Sequence, residues 1–366
     1  MLLATTRSAE RYANSLIGLA AGDAWGYQVE FTKYDKMPAY PVAPPPQIWR
    51  VSDDTQMTLA LHDALVDAAG QLDNIAAVTA AITERFLQWQ TDPDNNRAPG
   101  TTCMTSLTRL RGGARWFDTD GAVESAGCGA VMRLAPAAFC PDEVWLGITA
   151  LQALVTHKHP RALAAALVLA EAIRLGPSLS GRFLEHSVSA AMAVLTGESP
   201  WLDDEYLAAV LSPITSDVQG YLAAGVEDGN LDALLDAYGI KRELDELDPA
   251  DWGDPCMGIG EGWESATAVA VGLLVADMAT PRWTAPALLT GHEALGWAST
   301  SNGDSDSIAC IAGAVIGAAH DDPEFWIQAK VLPRFEDRYN LALRKAPIDS
   351  VAFRYNAADA AAAAAD

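Results

Sequence analysis

The sequence predicts an all-α fold, and three features of the chain indicate it. Long Ala- and Leu-rich segments dominate, 50% of the residues are hydrophobic, and no run alternates convincingly between apolar and polar side chains as a half-buried strand would. Residues 308–319 contain no charged or strongly polar side chain, so a helix there must be buried on every side. We therefore expect one compact bundle of many helices, residues 1–355, around that central helix, and an Ala-rich low-complexity tail, residues 356–366.

The first helix is predicted over residues 8–21, where apolar side chains recur at helical spacing. Ser8 is the expected N-cap, and Gly22 and Gly26 are expected to break the helix. Asp23 then falls in the turn that follows, where its carboxylate can accept hydrogen bonds from backbone N–H groups. We expect a structural role for this carboxylate.

A Pro-rich connection, residues 31–50, leads to the next predicted helix. Proline lacks a backbone N–H, so this connection cannot form a regular helix. Ser52 is the expected N-cap of the helix that follows, with Asp53 and Asp54 in its first turn. The helix is predicted because apolar residues recur at helical spacing from Met57 onwards.

Further helices are predicted from the same spacing and from the turn residues at their ends. His159 is expected to cap a helix that opens at Pro160, because proline is tolerated in a first helical turn. The remaining segments of this kind are residues 75–90, a helix from near Thr102, residues 148–155 and a helix from near Ser265.

Oxygen-bearing side chains cluster at two of the predicted helix starts. Asp304, Ser305, Asp306 and Ser307 directly precede the apolar helix, and residues 52–55, Ser-Asp-Asp-Thr, begin the helix after the Pro-rich connection. Ordinary helix capping could explain either stretch alone. Because a buried, unpaired carboxylate is costly, two such stretches in one chain favour a shared cation site. The ligands are all hard oxygens, which suits Mg²⁺, Mn²⁺ or Ca²⁺ better than zinc.

Composition argues against some functions and indicates a compartment. A formal net charge of −24 argues against general nucleic-acid binding, which depends on clustered Lys and Arg. No segment is expected to reach the roughly 20 apolar residues of a membrane span, and the N-terminus lacks the apolar core of a signal peptide. The five cysteines are scattered without CxxC spacing, which fits reduced thiols. We expect a cytoplasmic monomer that binds no membrane.

Five stretches of the chain resemble the motifs of one family. SDDTQMTLAL and NGDSDSIACIAGAVIGA resemble the two metal-binding signatures of the ADP-ribosylglycohydrolases, which include dinitrogenase reductase-activating glycohydrolase and the ADP-ribosylarginine and ADP-ribosylserine hydrolases. GLAAGDAWGYQVEF, GCGAVMRLAP and LVTHKHPRA resemble three further motifs, and all five follow the family's order between residues 18 and 319. Ser305 and Ser307 stand where the family usually has threonine, and serine keeps the oxygen ligand.

The resemblance implies a metal-dependent hydrolysis that releases ADP-ribose from a modified acceptor, with arginine on a protein as the first expectation. It implies two Mg²⁺ or Mn²⁺ ions bridged by Asp304, and it leaves Glu30 and Asp53 as alternative bases for the attacking water. The implied metal ligands are Glu30, Ser52, Asp53, Asp54, Asp304, Asp306 and Ser307. The implied contacts to ADP-ribose are Gly100, Thr101, Thr102, Ser125, Gly127, Cys128, Gly129 and His157.

The resemblance also assigns roles to segments outside the ligand set. Residues 31–50 resemble a mobile loop that covers the metal site in several family members. Arg133 is expected to be structural, and Trp263 is expected either to border the adenine pocket or to belong to the core. Some members have an acid just before the glycine that Gly100 matches, whereas this chain has Ala98 and Pro99. The acceptor therefore cannot be carried over from those members.

Two other functions remain open at this stage. A metal-dependent phosphate-ester or pyrophosphate hydrolase would use the same oxygen ligands. A non-enzymatic relative is the second alternative, because the family's fold also occurs as a lens crystallin. Such a relative would be expected to lack at least one acidic ligand, and this chain has all of them.

Overall fold

A computed structural model describes residues 2–37, 40–282 and 285–350. Their backbone forms helices joined by turns, with isolated β-bridges and no strand among the described residues. The all-α prediction is confirmed. The expected Ala-rich tail, residues 356–366, lies outside the described residues.

The α-helices of the described chain are joined by loops, 3-10 turns and a π-helical segment (Val226–Asn230). They are α1 (Leu2–Gly26), α2 (Asp53–Asp67), α3 (Ile75–Gln90), α4 (Thr101–Arg111), α5 (Ala135–Ala138), α6 (Trp145–Leu154), α7 (Pro160–Leu175), α8 (Phe183–Thr196), α9 (Glu205–Leu211), α10 (Val218–Gly225), α11 (Leu231–Leu244), α12 (Ser265–Ala279), α13 (Gly291–Ala298), α14 (Ser305–Ala318), α15 (Phe325–Gln328) and α16 (Asp337–Asp349).

Helix α14 lies at the centre of the bundle. Every residue from Ser305 to Ala318 is buried, and the helix packs against α1, α12 and α13. An apolar surface on all sides can be buried only when other helices surround it. The prediction of a central buried helix is confirmed.

Helix α1 is longer than the sequence pattern predicts. It begins at Leu2, so Ser8 lies within the helix and is not its N-cap. It continues through Gly22, so the predicted break there is also wrong, whereas the predicted break at Gly26 coincides with the end of the helix. Glycine weakens an isolated helix, but close packing of two backbones can require a residue without a Cβ.

The glycines of α1 form a close-packed seam against α14. A Cβ on Gly18 would lie 2.3 Å from the carbonyl oxygen of Gly313, and a Cβ on Gly22 would lie 2.0 Å from that of Ala309. At the other end of the seam, the Ser305 hydroxyl donates a 2.9 Å hydrogen bond to the carbonyl oxygen of Gly26. The two helices are therefore antiparallel, and the end of α1 meets the beginning of α14.

The remaining helix boundaries largely follow the sequence pattern. Helices α2, α3 and α12 begin as predicted, and α4 begins one residue before Thr102. Helix α6 begins at Trp145, three residues before the predicted start. Pro160 opens α7, and the His159 side chain accepts a 3.2 Å hydrogen bond from the backbone N–H of Arg161. The predicted cap at His159 is confirmed.

One helical stretch is apolar enough to cross a membrane by length and composition. Residues Pro160–Leu179 have a mean hydropathy of 1.5, so the expectation that no segment reaches this length is wrong. Within the protein, however, 72% of that apolar stretch is buried. A core helix passes the same test of length and composition, so this one stretch is weak evidence for a membrane span.

Replacing Gly22 with alanine tests the seam. The added methyl group would collide with the Ala309 backbone, and the two helices would have to separate. We expect the free energy of unfolding to fall by about 3 kcal/mol, the upper range for overpacking a core. Gly239 of α11 is the matched control, because a Cβ there meets no atom within 4 Å. Gly239→Ala should raise the stability by about 0.5–1 kcal/mol. Equal changes in the free energy of unfolding for the two substitutions, measured by urea unfolding, would contradict the close packing of α1 against α14.

Candidate metal centre and adjoining cleft

A cleft of about 440 Å³ opens where several helices begin. The first turns of α2, α4 and α14 reach it, together with the loops after α1, before α12 and around Gly127. The residues that line it are Glu30, Phe31, Asp53, Asp54, Ala98, Pro99, Gly100, Thr101, Thr102, Cys103, Gly127, Cys128, Gly129, Met132, His157, Trp263, Asp304, Asp306 and Ser307.

One group of carboxylates lies at the end of the seam where α1 ends and α14 begins. Asp304 is the N-cap of α14, Asp306 lies in its first turn, and Glu30 follows the end of α1. One oxygen from each of the three carboxylates lies within 4.8 Å of the other two, and all three residues are buried. This spacing suits a divalent cation that several carboxylates share.

The second group comes from the start of α2. Ser52 caps this helix, as predicted, and its hydroxyl accepts a 3.4 Å hydrogen bond from the backbone N–H of Asp54. The side chains of Asp53 and Asp54 line the cleft, whereas Ser52 does not. The Ser52 hydroxyl lies 3.3 Å from Oδ2 of Asp54, so in this conformation Ser52 contacts that carboxylate and not the cleft.

Asp23 holds the start of α2 in place. Its carboxylate accepts hydrogen bonds from the backbone N–H groups of Ser52, at 2.9 and 3.1 Å, and of Thr55, at 3.1 Å. The Thr55 hydroxyl donates a further hydrogen bond to it. The expected structural role is confirmed, but Asp23 lies inside α1 and not in a turn. Asp23 therefore fixes the start of α2, 29 residues further along the chain.

Burial and mutual repulsion disfavour the charged forms of the acidic side chains. Burial, together with the nearby charges of Asp304 and Asp53, raises the pKa of Glu30 to about 8. Burial likewise raises the pKa of Asp53 to about 8, while the Gly100 N–H, at 3.2 Å from Oδ2, works against the shift. The pKa values of Asp54 and Asp306 lie well above the ordinary value for the same reason.

The carboxylates have no cationic side chain in the cleft to balance them, since no described lining residue is Lys or Arg. His157 does not supply a charge, because burial lowers its pKa well below the ordinary value. Oε2 of Glu30 and Oδ1 of Asp54 are buried and accept no hydrogen bond. Unsatisfied buried oxygens of this kind fit the ligands of a hard divalent cation.

A wall of small residues and hydroxyls faces the acidic cluster. Gly100 is the N-cap of α4, and Thr101 and Thr102 form its first turn. Gly127, Cys128 and Gly129 line the cleft opposite, beside His157. Of the expected ADP-ribose contacts, Ser125 alone does not line the cleft. Its hydroxyl accepts hydrogen bonds of 3.2 Å from the Gly127 N–H and from the Thr102 hydroxyl, so it joins the two walls.

The position of His157 explains the glycine beside it. A Cβ on Gly129 would lie 2.8 Å from Cε1 of His157, so a larger residue would displace the ring. Nδ1 of His157 lies 2.8 Å from the Thr156 hydroxyl, which also accepts a 2.6 Å hydrogen bond from Arg133. Arg133 is fully buried, as expected for a structural residue.

Two features of the cleft were not predicted. The Asn302 side chain accepts a 3.1 Å hydrogen bond from the Tyr34 N–H and donates a 2.8 Å bond to Glu261, so it ties the loop after Glu30 to the start of α14. Phe31 is 74% exposed and stacks on Trp263, which is 42% exposed and lines the cleft. The core alternative for Trp263 is therefore wrong. In the sequence, the only signal for the role of Asn302 is its position beside the acidic stretch.

Comparison with known proteins places the chain in a family. The family model described as ADP-ribosylglycohydrolase matches residues 4–350. The chain belongs to the ADP-ribosylglycohydrolase family. A solved "ADP-ribosylglycohydrolase-related protein complex" has the same fold, with a TM-score of 0.55 and 21% identity over 95% of this chain and 98% of that one.

Two curated relatives match part of this family member. ADP-ribosylarginine hydrolase Tri1 of Serratia proteamaculans (strain 568) is 31% identical over 147 residues, which are 37% of this chain and 38% of that protein. ADP-ribosyl-[dinitrogen reductase] glycohydrolase of Rhodospirillum rubrum is 34% identical over 178 residues, 44% of this chain and 55% of the relative. The matched regions thus cover about half of these relatives or less.

The raised pKa values predict how cation binding depends on pH. Between about pH 4 and 8 the cation-free folded state holds protons on Glu30 and Asp53 that the unfolded state has lost, so its free energy of unfolding falls as the pH rises. A cation must displace those protons. We therefore expect Mg²⁺ to raise the melting temperature more at about pH 8 than at about pH 6.

The matched control is the same experiment with Asp54→Asn, in which one buried carboxylate no longer attracts the cation. In that variant Mg²⁺ should raise the melting temperature less than it does in the native protein, at both pH values. An equal effect of Mg²⁺ on the native protein at the two pH values would contradict the coupling between cation and protons.

Proposed function

We propose that this protein hydrolyses the glycosidic bond between ADP-ribose and a modified acceptor, with the help of two divalent cations, Mg²⁺ or Mn²⁺. The observation that supports this most is the convergence of buried carboxylates from three distant segments, around Glu30, Asp54 and Asp304, on one cleft. Two of their oxygens lack any hydrogen-bond partner, and cations would satisfy them.

The ligands would form two sets that share the cleft. Glu30, Asp304 and Asp306 form the compact set, and Asp54 reaches it from α2 with Asp53 beside it. Ser307 lines the cleft next to them, whereas Ser52 would join only after its side chain turns away from Asp54. Bound cations would orient the ribose hydroxyls and make the attacking water more acidic.

The other residues of the cleft suit binding of the diphosphate through neutral hydrogen-bond donors. Because the lining contains no Lys or Arg, the phosphates must be met by N–H and O–H dipoles. The first turn of α4 offers backbone N–H groups and the hydroxyls of Thr101 and Thr102. Nε2 of His157 would be the ring nitrogen that contacts the ligand, since Nδ1 contacts the Thr156 hydroxyl. The acidic cluster would stabilise the positive charge that develops on the ribose ring.

Glu30 and Asp53 are the two candidates for the base, and their environments differ. Oδ2 of Asp53 accepts the Gly100 N–H, so this carboxylate is held at the start of α4. Glu30 has an oxygen with no partner and belongs to the compact set. A base and a ligand can be separated experimentally: loss of the base lowers kcat at saturating cation, whereas loss of a ligand weakens cation binding.

Arginine on a protein is our first choice of acceptor. The names of the two relatives support it, one being an ADP-ribosylarginine hydrolase and the other acting on ADP-ribosyl-dinitrogen reductase. The alternative of phosphate-ester hydrolysis would use the same oxygen ligands, but the family and the names of the two relatives favour hydrolysis of the glycosidic bond. Three further expectations stay predictions: that residues 1–355 form a single domain, that the protein is cytoplasmic, and that it is a monomer.

The test is release of ADP-ribose from an ADP-ribosylarginine substrate in the presence of Mg²⁺. We expect Asp306→Asn and Asp54→Asn each to lower the rate by at least about 10²-fold, as EDTA should. Asp63→Asn is the matched control: Asp63 is an exposed carboxylate on α2, the same helix as Asp54. Full activity in EDTA, or in either cluster variant, would defeat the proposal. Release of phosphate or AMP without ADP-ribose would favour the phosphate-ester alternative.

A further inference from the structure

Sulfur atoms line one side of the acidic cluster. Sγ of Cys128 lies 2.7 Å from Oδ2 of Asp304. The Ser307 hydroxyl lies 3.7 Å from the same sulfur and 4.0 Å from Sδ of Met132. Cys128 lines the cleft and is half-buried, so cations that enter the cleft can reach its thiol.

Two buried oxygens of the acidic cluster indicate that the cleft receives a ligand. Glu30 is 7% exposed and Asp54 is 2% exposed, and each has an oxygen that accepts no hydrogen bond. The thiol of Cys128 donates to Asp304, which is a weak hydrogen bond for a buried carboxylate. A cation between the sulfur and the carboxylate would satisfy both more strongly.

We propose that Cys128 adds a sulfur ligand to the metal centre, so that this protein binds thiophilic divalent cations, such as Cd²⁺ and Zn²⁺, in competition with Mg²⁺. A site of oxygens alone prefers hard cations, whereas a thiolate selects softer ones. The inference rests on the proposed metal centre but not on the proposed hydrolysis. On binding, the cation replaces the thiol proton of Cys128, a cation–sulfur bond forms, and the proton passes to solvent.

The geometry requires a movement of about 1 Å. Ligands at about 2.3 Å for sulfur and about 2.1 Å for oxygen, at the tetrahedral angle around one cation, are about 3.6 Å apart. Sγ of Cys128 and Oδ2 of Asp304 are 2.7 Å apart, so the two atoms must separate by about 0.9 Å. Cys103 also lines the cleft, but its sulfur is unsuited to this role, because it is buried and accepts a 3.3 Å hydrogen bond from Arg133.

The experiment is a titration of the full chain with Cd²⁺, followed by the ultraviolet absorption of the cadmium–thiolate bond and by calorimetry. We expect the absorption band in the native protein and its loss in Cys128→Ser. The Cd²⁺ affinity of that variant should fall by about 10- to 100-fold, while its Mg²⁺ affinity should change by no more than about twofold. Cys140→Ser, a buried cysteine that does not line the cleft, is the matched control and should keep the band.

Three results would overturn the inference. The first is a native protein that shows no band on addition of Cd²⁺, which is decisive even if the variant fails to fold. The second is an unchanged Cd²⁺ affinity in Cys128→Ser. The third is an unchanged band in Asp304→Asn, because the thiolate would then bind the cation without the cluster. All three readouts are independent of ADP-ribose release, so failure of the proposed hydrolysis and failure of this inference are distinguishable.

Discussion

The close contact between α1 and α14 is the constraint on which the site depends. At the seam the two backbones approach to a distance that leaves no room for a Cβ on Gly18 or Gly22. Because the helices are antiparallel, Glu30, just beyond the end of α1, comes beside Asp304 and Asp306. Dispersion contacts between closely packed backbones thus determine where charged side chains meet.

The site places like charges together in a buried environment, and such an arrangement is unfavourable without compensation. Asp23 uses its hydrogen bonds to hold the start of α2 against the end of α1, which keeps Asp53 and Asp54 in the cleft. Protons can relieve the repulsion, as the raised pKa of Glu30 indicates. Cations would relieve it at a pH where the carboxylates are needed in their charged form.

Local signals in the sequence were sufficient for the starts of α2, α3 and α12 and for the acidic stretches. The cap at Ser52 and the apolar run of α14 each depend on residues close to one another in the chain. The prediction failed where a distant contact decided the outcome. Gly22 has the local signature of a helix end, but its packing against Ala309 keeps it helical. The lack of a Cβ is a disadvantage for an isolated helix and a requirement in the seam.

The details of the cleft also depend on contacts that a sequence does not display. Ser52 and Ser125 were expected to face ligands, yet each turns its hydroxyl toward a neighbouring protein group. The hydrogen bond from Tyr34 to Asn302 spans 268 residues of the chain. Motifs therefore indicated which segments meet, and the packing of the helices decided which atoms face the cleft.

Anomalous scattering from a crystal grown with Mn²⁺ and ADP-ribose tests the central claim most directly. The account predicts two peaks in the cleft, ligated by carboxylates from the loop after α1 and from the first turns of α2 and α14. Peaks only on the outer surface, or ADP-ribose bound in the cleft with no Mn²⁺ beside the carboxylates, would contradict it.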